Sequence, residues 1–220
     1  ANKIIIDLED GSDPTAVRVG GTTNDHTIKN IENIIGSNNA DDIITGNSGN
    51  NTLKGGGGND TIDGAGGSNY LDGGNHTLGD TVSFESVTGV NGISVNIGSS
   101  AVTIDGTSYD AKTSIRNALT STVVNFENIQ GSQNADILIG SDDANLIKGG
   151  EGNDTIYGGK GSNFLEGGAG ADKFIMGGFF GSGNNYINQV DGGSGADVLD
   201  YSKVTTGAIS VTLDGEEFSK

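Results

Sequence analysis

Apolar residues recur along much of this chain one at a time, nine positions apart. Ile44, Leu53, Ile62 and Leu71 form one series, continued after a short insertion by Val82, and Leu138, Ile147, Ile156, Leu165 and Phe174 form a second. Each sits at the centre of an x-apolar-x triplet and follows six glycine-rich, polar residues, as in GGEGNDTIY, GGKGSNFLE and GGAGADKFI over 149–175. The alternating triplet predicts a short strand with one side chain turned inward, and the glycine-rich half predicts a tight turn. A single nine buries nothing. Two nines make a coil with a strand on each side, and stacked coils bury two columns of apolar side chains. The pattern therefore predicts an all-β fold, a parallel β-roll or β-solenoid of 18-residue coils.

Two larger units repeat as well. NIENIIGSNNADDIITG (30–46) answers NFENIQGSQNADILIG (125–140), and each opens a block of nines. The expected organisation is an incomplete β connector at 1–35, a first roll at 36–83 and a β-rich connector at 84–130. A second roll spans 131–200 with an insertion at 176–191, and the start of a further connector occupies 201–220. KIIIDLEDGS near the start resembles ISVNIGSS (93–100) and ISVTLDGEE (209–217), so the chain reads as starting and stopping in mid-array. Within the middle connector, Ala111, Ile115, Ala118 and Leu119 follow Asp110 at helical spacing, which predicts a short helix over 110–120.

Composition narrows the chemistry. Forty glycines among 220 residues would suggest low complexity, but here they are periodic. A formal charge of −18 argues against nucleic acid or an anionic membrane as partner and makes divalent cations the natural counter-charge. The chain has no cysteine, which excludes disulfide and thiol chemistry and suits an exported protein. No apolar run is long enough for a membrane span.

The sixth residue of each nine carries the candidate site. Asp42 and Asp60, 18 residues apart, fall on one side of an 18-residue coil, followed by a displaced Asp80. Asp136, Asp154 and Asp172 show the same 18-residue interval and are expected on that same side; Asn51, Asn69, Asn145 and Asn163 are expected opposite. GSGNNYI supplies Asn185 and GGSGADVLD supplies Asp197 as continuations. Carboxylates stacked at the ~4.8 Å strand spacing repel by roughly 3.5 kcal/mol per pair at an effective dielectric near 20. Stacked asparagines are neutral, and each amide can donate to the next. An aspartate edge needs a cation between its turns; an asparagine edge does not. Carboxylates and backbone carbonyls, without imidazole or thiolate, favour Ca²⁺ over Zn²⁺, and also over Mg²⁺, which keeps its waters and demands strict octahedral geometry.

GGGGNDTID, GGEGNDTIY, GGAGADKFI and GGSGADVLD carry the GGxGxD-x-apolar-x signature. In these residues the chain resembles the RTX (repeats-in-toxin) family over roughly 33–83 and 128–200. The resemblance implies several Ca²⁺ ions, at least three, held between successive turns by sixth-position aspartates and turn carbonyls. Carried onto this chain, the ligands are Asp42, Asp60, Asp80, Asp136, Asp154, Asp172 and Asp197. The implied carbonyl donors are Gly55, Gly56, Gly57 and Gly58, then Gly149, Gly150, Glu151 and Gly152, and finally Gly167, Gly168 and Gly170. It further implies secretion through a type I apparatus and folding outside the cell on calcium, at a bacterial surface or in the medium.

Nothing in the sequence points to catalysis. His26 and His76 lie in different segments and read as surface residues, and neither HExxH nor GxSxG occurs. Phe179 and Phe180 read as packing over the end of the roll, and Tyr70 and Tyr157 as cover for an outer sheet face. The expected function is a structural calcium-binding segment of a large secreted surface protein, of S-layer or adhesin type. Its partners would then be calcium, the secretion apparatus, and copies of itself or cell-surface glycans. The alternative is the secretion and folding module of an exported hydrolase or toxin.

Overall fold

In a computed structural model, the described residues are 3–8, 15–19, 26–28, 30–88, 91–116, 119–177 and 188–204. All regular elements there are strands. The first unit contains β1 (Ile4–Asp7), β2 (Thr15–Val19), β3 (His26–Ile28), β4 (Asn33–Ile35), β5 (Ile43–Thr45), β6 (Thr52–Gly57), β7 (Thr61–Asp63), β8 (Tyr70–Asn75) and β9 (Thr81–Ser83). The middle segment adds β10 (Ser94–Asn96), β11 (Val102–Ile104), β12 (Thr107–Tyr109), β13 (Thr113–Arg116) and β14 (Leu119–Val124). Then follow β15 (Asn128–Gln130), β16 (Ile137–Ile139), β17 (Leu146–Glu151), β18 (Thr155–Tyr157), β19 (Phe164–Ala169), β20 (Lys173–Ile175), β21 (Gln189–Ser194) and β22 (Val198–Asp200).

These strands form a two-sheet solenoid. The first sheet runs β21-β19-β17-β15-β9-β7-β5-β1-β2-β3 and the second β22-β20-β18-β16-β10-β13-β14-β8-β6-β4. Within the nines every pairing is parallel and in register, as in Ile44↔Ile62, Leu53↔Leu71 and Ile156↔Phe174. The eighth-position residues of both blocks are almost wholly buried between the sheets and belong to one continuous apolar cluster. Continuity across the middle segment comes from β9 pairing β15 (Val82↔Ile129) and β8 pairing β14 (Leu71↔Val123). Phe126 and Ile129 fill the core at that junction.

The helix predicted over 110–120 is absent. Lys112 closes a turn at φ 55, and Thr113–Arg116 and Leu119–Val124 form an antiparallel pair with Thr113↔Thr122 and Ile115↔Thr120 opposed. β-Branched residues fill two of the four positions of the first arm and four of the six of the second, and they favour extended backbone. The apolar spacing that suggested a helix is not a buried stripe, since Ile115 and Leu119 are about two-fifths exposed while Val123 is fully buried. The hairpin of β11 and β12 packs outside the second sheet, where Ile104 meets Ile139 and Ile175, with Tyr157 against them. This is the outer-face cover expected of Tyr157.

The two units are equivalent, but their sheets are exchanged. β1 stacks in parallel on β5 and antiparallel on β2, as β10 stacks on β16 and β13. Asn30 and Asn125 hold the same φ of 57 ahead of β4 and β15. Yet β1, β2, β3 and β5 lie in the first sheet, whereas β10, β13, β14 and β16 lie in the second. Between β5 and β16 the chain crosses from sheet to sheet an odd number of times, the connector strands β10, β13 and β14 counting as a single station in the second sheet. Val204 N–H donates to Tyr201 O at 2.9 Å, as Val87 N–H does to Phe84 O at 2.9 Å. Most of the further connector expected over 201–220, like Phe179, Phe180 and Asn185, lies outside the described residues.

Candidate metal centre

Each coil has two turns. One leads from the second sheet into the first, the other from the first into the second; they define opposite edges of the solenoid. The turns ending in Asp42, Asp60 and Asp80 precede β5, β7 and β9 and lie on the first edge. Those ending in Asp136, Asp154, Asp172 and Asp197 precede β16, β18, β20 and β22 and lie on the second. The expectation that all aspartates share one side is therefore overturned. The ladders occupy opposite edges, because the sheets exchange between units. Along the first edge the column reads Asp42, Asp60, Asp80, Glu127, Asn145, Asn163, Asn188. Asn51, Asn69 and Ser121 stand on the second edge ahead of the second aspartate column. Asn188, not Asn185, continues the asparagine column, accepting the Asn163 N–H at 3.0 Å.

Within each column a single contact repeats. The backbone N–H of one sixth residue donates to Oδ1 of the next: Asp42 to Asp60 (2.8 Å), Asp60 to Asp80 (2.7 Å), Asp136 to Asp154 (2.8 Å), Asp154 to Asp172 (2.8 Å) and Asp172 to Asp197 (3.0 Å). The two rungs that span insertions keep the same geometry as the regular ones. The asparagine columns match them, with Asn51 to Asn69 at 2.8 Å and Asn145 to Asn163 at 2.9 Å.

The second side-chain atom separates the two kinds of turn. Asparagine Nδ2 donates to its surroundings: Asn69 to the Gly64 and Gly66 carbonyls (2.9 and 2.7 Å), Asn145 to the Glu127 carbonyl (2.7 Å) and Asn163 to the Lys160 carbonyl (3.0 Å). Aspartate has no proton to offer there. Oδ2 of Asp60, Asp80, Asp154 and Asp172 is buried with no hydrogen-bond partner, although each residue is at most 1% exposed. Asp42 and Asp136, which open the two columns, differ. Ser37 and Ser132 N–H donate to their Oδ2, and Ile4 and Ile93 N–H donate to their Oδ1.

The backbone differs too. In the aspartate turns Gly56, Gly58, Gly150, Gly152, Gly168 and Gly170 hold φ between 104 and 142, a region open in practice to glycine alone. The asparagine turns use the left-handed region, φ 48 at Ala65 and 75 at Gly159, which an alanine can occupy. The first glycine leaves a cradle in both kinds of turn, Gly46 and Gly140 facing Asn51 and Asn145 Oδ1 with the Gly64 and Gly158 carbonyls; in the aspartate turns the side-chain oxygen there is a carboxylate. A Cβ on Gly149 would collide with Asp154 Oδ2 and the Gly167 carbonyl oxygen, and one on Gly167 with Asp172 Oδ2 and the Gly192 carbonyl. Gly55 repeats this with Asp60 Oδ2 and the Gly73 carbonyl. A bare carboxylate oxygen and a carbonyl from the next coil thus converge at each rung.

Burial pushes these carboxyls above their usual range. Asp154 rises to about 7, first from desolvation and then from Asp136 and Asp172, against the lowering effect of the Asp136 N–H. Asp80 rises to about 6, again mainly from burial, with Asp60 and Glu127 adding to it and the Asp60 N–H and His76 opposing. Asp60, Asp136 and Asp172 shift the same way for the same first cause. Unpartnered, partly repelled carboxylates fit a hard cation, which would supply the missing partner and the missing charge. Among the described residues no three acidic or histidine side chains cluster, so such an ion would rely on backbone carbonyls beside its carboxylates. The buried, unpartnered Oδ2 atoms belong to Asp60, Asp80, Asp154 and Asp172, whereas Asp42 and Asp136 have theirs satisfied and Asp197 is exposed. Sequence reasoning did not single out Glu127, a connector residue whose Oε2 accepts the Asp80 N–H at 3.0 Å.

The profile of the RTX calcium-binding nonapeptide repeat matches this chain in four copies, at residues 36–75, 130–165, 139–174 and 181–201. These repeats bind Ca²⁺, so the ion suited to the aspartate turns is calcium. Among curated proteins, none matches the chain.

Proposed function

We propose that this chain, a member of the RTX repeat family, is a calcium-folded structural segment of a secreted bacterial surface protein of S-layer or adhesin type. The observation that carries this reading is the set of four buried aspartate oxygens without a partner, stacked along two edges. Without a cation these turns hold desolvated like charges against one another, and with one they close. Folding and calcium binding are then one equilibrium. That suits a chain exported unfolded through a type I apparatus into a calcium-rich exterior, where its neighbours would be copies of itself or surface glycans. Two roll units stacked into one continuous solenoid favour a spacer or array element over a catalytic module.

Far-ultraviolet circular dichroism during a calcium titration, reversed with EGTA, tests this. Cooperative gain of β-structure at roughly millimolar calcium is expected. Full β-structure in chelator at neutral pH would overturn it. For the surface role, the adjoining sequence decides: an HExxH or GxSxG domain in the same protein would favour the hydrolase alternative.

A further inference from the structure

At the junction of the two units, the first aspartate column does not end at Asp80. β15 stacks on β9, and the residue before β15 is Glu127. Its Oε2 accepts the Asp80 N–H at 3.0 Å, the contact that Oδ1 of the following aspartate makes at every other rung. The turn there is short, Asn125 to Glu127, and the longer glutamate arm makes up the difference. The oxygen pair seen at the regular rungs is present too: a Cβ on Gly73 would collide with Asp80 Oδ2 and the Asn125 carbonyl oxygen. Asn125 is itself fixed, with φ 57 and its Nδ2 donating to Asp72 Oδ1 at 2.7 Å. Asp80 is fully buried and its Oδ2 has no partner. His76 Nδ1 lies 3.3 Å from Glu127 Oε2 and holds that carboxylate at the rung.

We propose that Glu127 is a calcium ligand and that, with Asp80 and the Asn125 carbonyl, it forms a junctional site which ties the first roll to the second. The site rests on the calcium reading above but uses residues outside the nonapeptide motif. Glu32, the equivalent of Glu127 in the first unit, is exposed, with no described aspartate rung stacked against it, and is the natural control.

Native mass spectrometry of the full chain in calcium counts the bound ions. Glu127→Gln keeps an oxygen to accept the Asp80 N–H but removes the charge, and it should carry one ion fewer than the parent. Glu32→Gln should carry the full complement. A full complement in Glu127→Gln overturns the site. So does loss of every ion, which would make Glu127 a folding residue, and so does an equal loss in both variants. A parent chain that takes up no calcium would instead overturn the general reading.

Discussion

Replacing Asp154 by asparagine should make the chain more stable without calcium and less stable with it. In the metal-free fold, Asp154 Oδ2 is buried with no partner, and its carboxyl titrates near 7 rather than 3.8. A raised carboxyl pKa stabilises the fold below the unfolded value, and that stabilisation is lost as pH rises through the folded one. At pH 8 the penalty of holding Asp154 ionised is roughly 4 kcal/mol at 1.36 kcal/mol per pH unit. An asparagine has no charge to desolvate, and its amide can donate to turn carbonyls as Asn69 does to Gly64 and Gly66. Urea unfolding at pH 8, followed by circular dichroism, should therefore give Asp154→Asn a gain of up to about 4 kcal/mol in EGTA. Equal amounts of a stabilising osmolyte bring both proteins into range if neither folds in EGTA alone. In saturating calcium the order should reverse, because a buried, charged ligand is lost. If Asp154→Asn is no more stable than the parent in EGTA, the idea that these turns are poised against their own charge is refuted.

Other outcomes follow from the same geometry. In EGTA, acidifying from pH 8 towards 5 should restore β-structure to the parent chain, because protons neutralise Asp154 and Asp80 in place of the ion; a flat or opposite pH response would contradict the assignment. Asp154→Asn should weaken calcium affinity far more than Asn163→Ala, measured by isothermal titration, since only the former turn leaves an oxygen bare. Gly150→Ala should cost about 3 kcal/mol even in saturating calcium, from strain at φ 111 and collision with the Ser132 carbonyl, read as a lowered urea midpoint. Ile104→Ala, which uncovers Ile139 and Ile175, should cost about 2–5 kcal/mol while leaving the number of bound ions unchanged.

The nines were legible because their apolar half has a simple physical cause. Leu53 and Ile156 are inward strand residues as the pattern predicts, but the glycine pairs ahead of Asp60, Asp154 and Asp172 extend β6, β17 and β19 to six residues and pair across coils, as in Gly56↔Gly74 and Gly150↔Gly168, where the sequence predicted turns. The difference between aspartate and asparagine turns was legible for the same reason, since charge cannot stack unaided. The side of the solenoid was not legible. Counting in eighteens works within a block, but across 84–127 the side depends on how many times the chain crosses between the sheets, and an antiparallel meander has no fixed periodic signature that reveals it. The helix at 110–120 failed on local grounds, because spacing outweighed the β-branched Thr113, Ile115, Thr120 and Thr122. Glu127 was hidden because its role arises only when β15 is stacked on β9.

The exchange of sheets has an electrostatic consequence. Had the second unit kept the first unit's orientation, Asp136, Asp154, Asp172 and Asp197 would have extended the column that runs Asp42, Asp60, Asp80, Glu127. Instead, neutral Asn145, Asn163 and Asn188 follow Glu127 on the first edge, and Asn51, Asn69 and Ser121 precede Asp136 on the second. Each acidic column is four groups long, and most of its length faces a neutral column across the same coils. Most of these carboxylates are buried and little screened by salt, so repulsion is strongest between the close neighbours within a column. Short columns on opposite edges limit how many like charges an unfilled segment must hold together. The serine and connector N–H groups on Asp42 and Asp136 satisfy the one rung in each column that has no preceding turn to bridge.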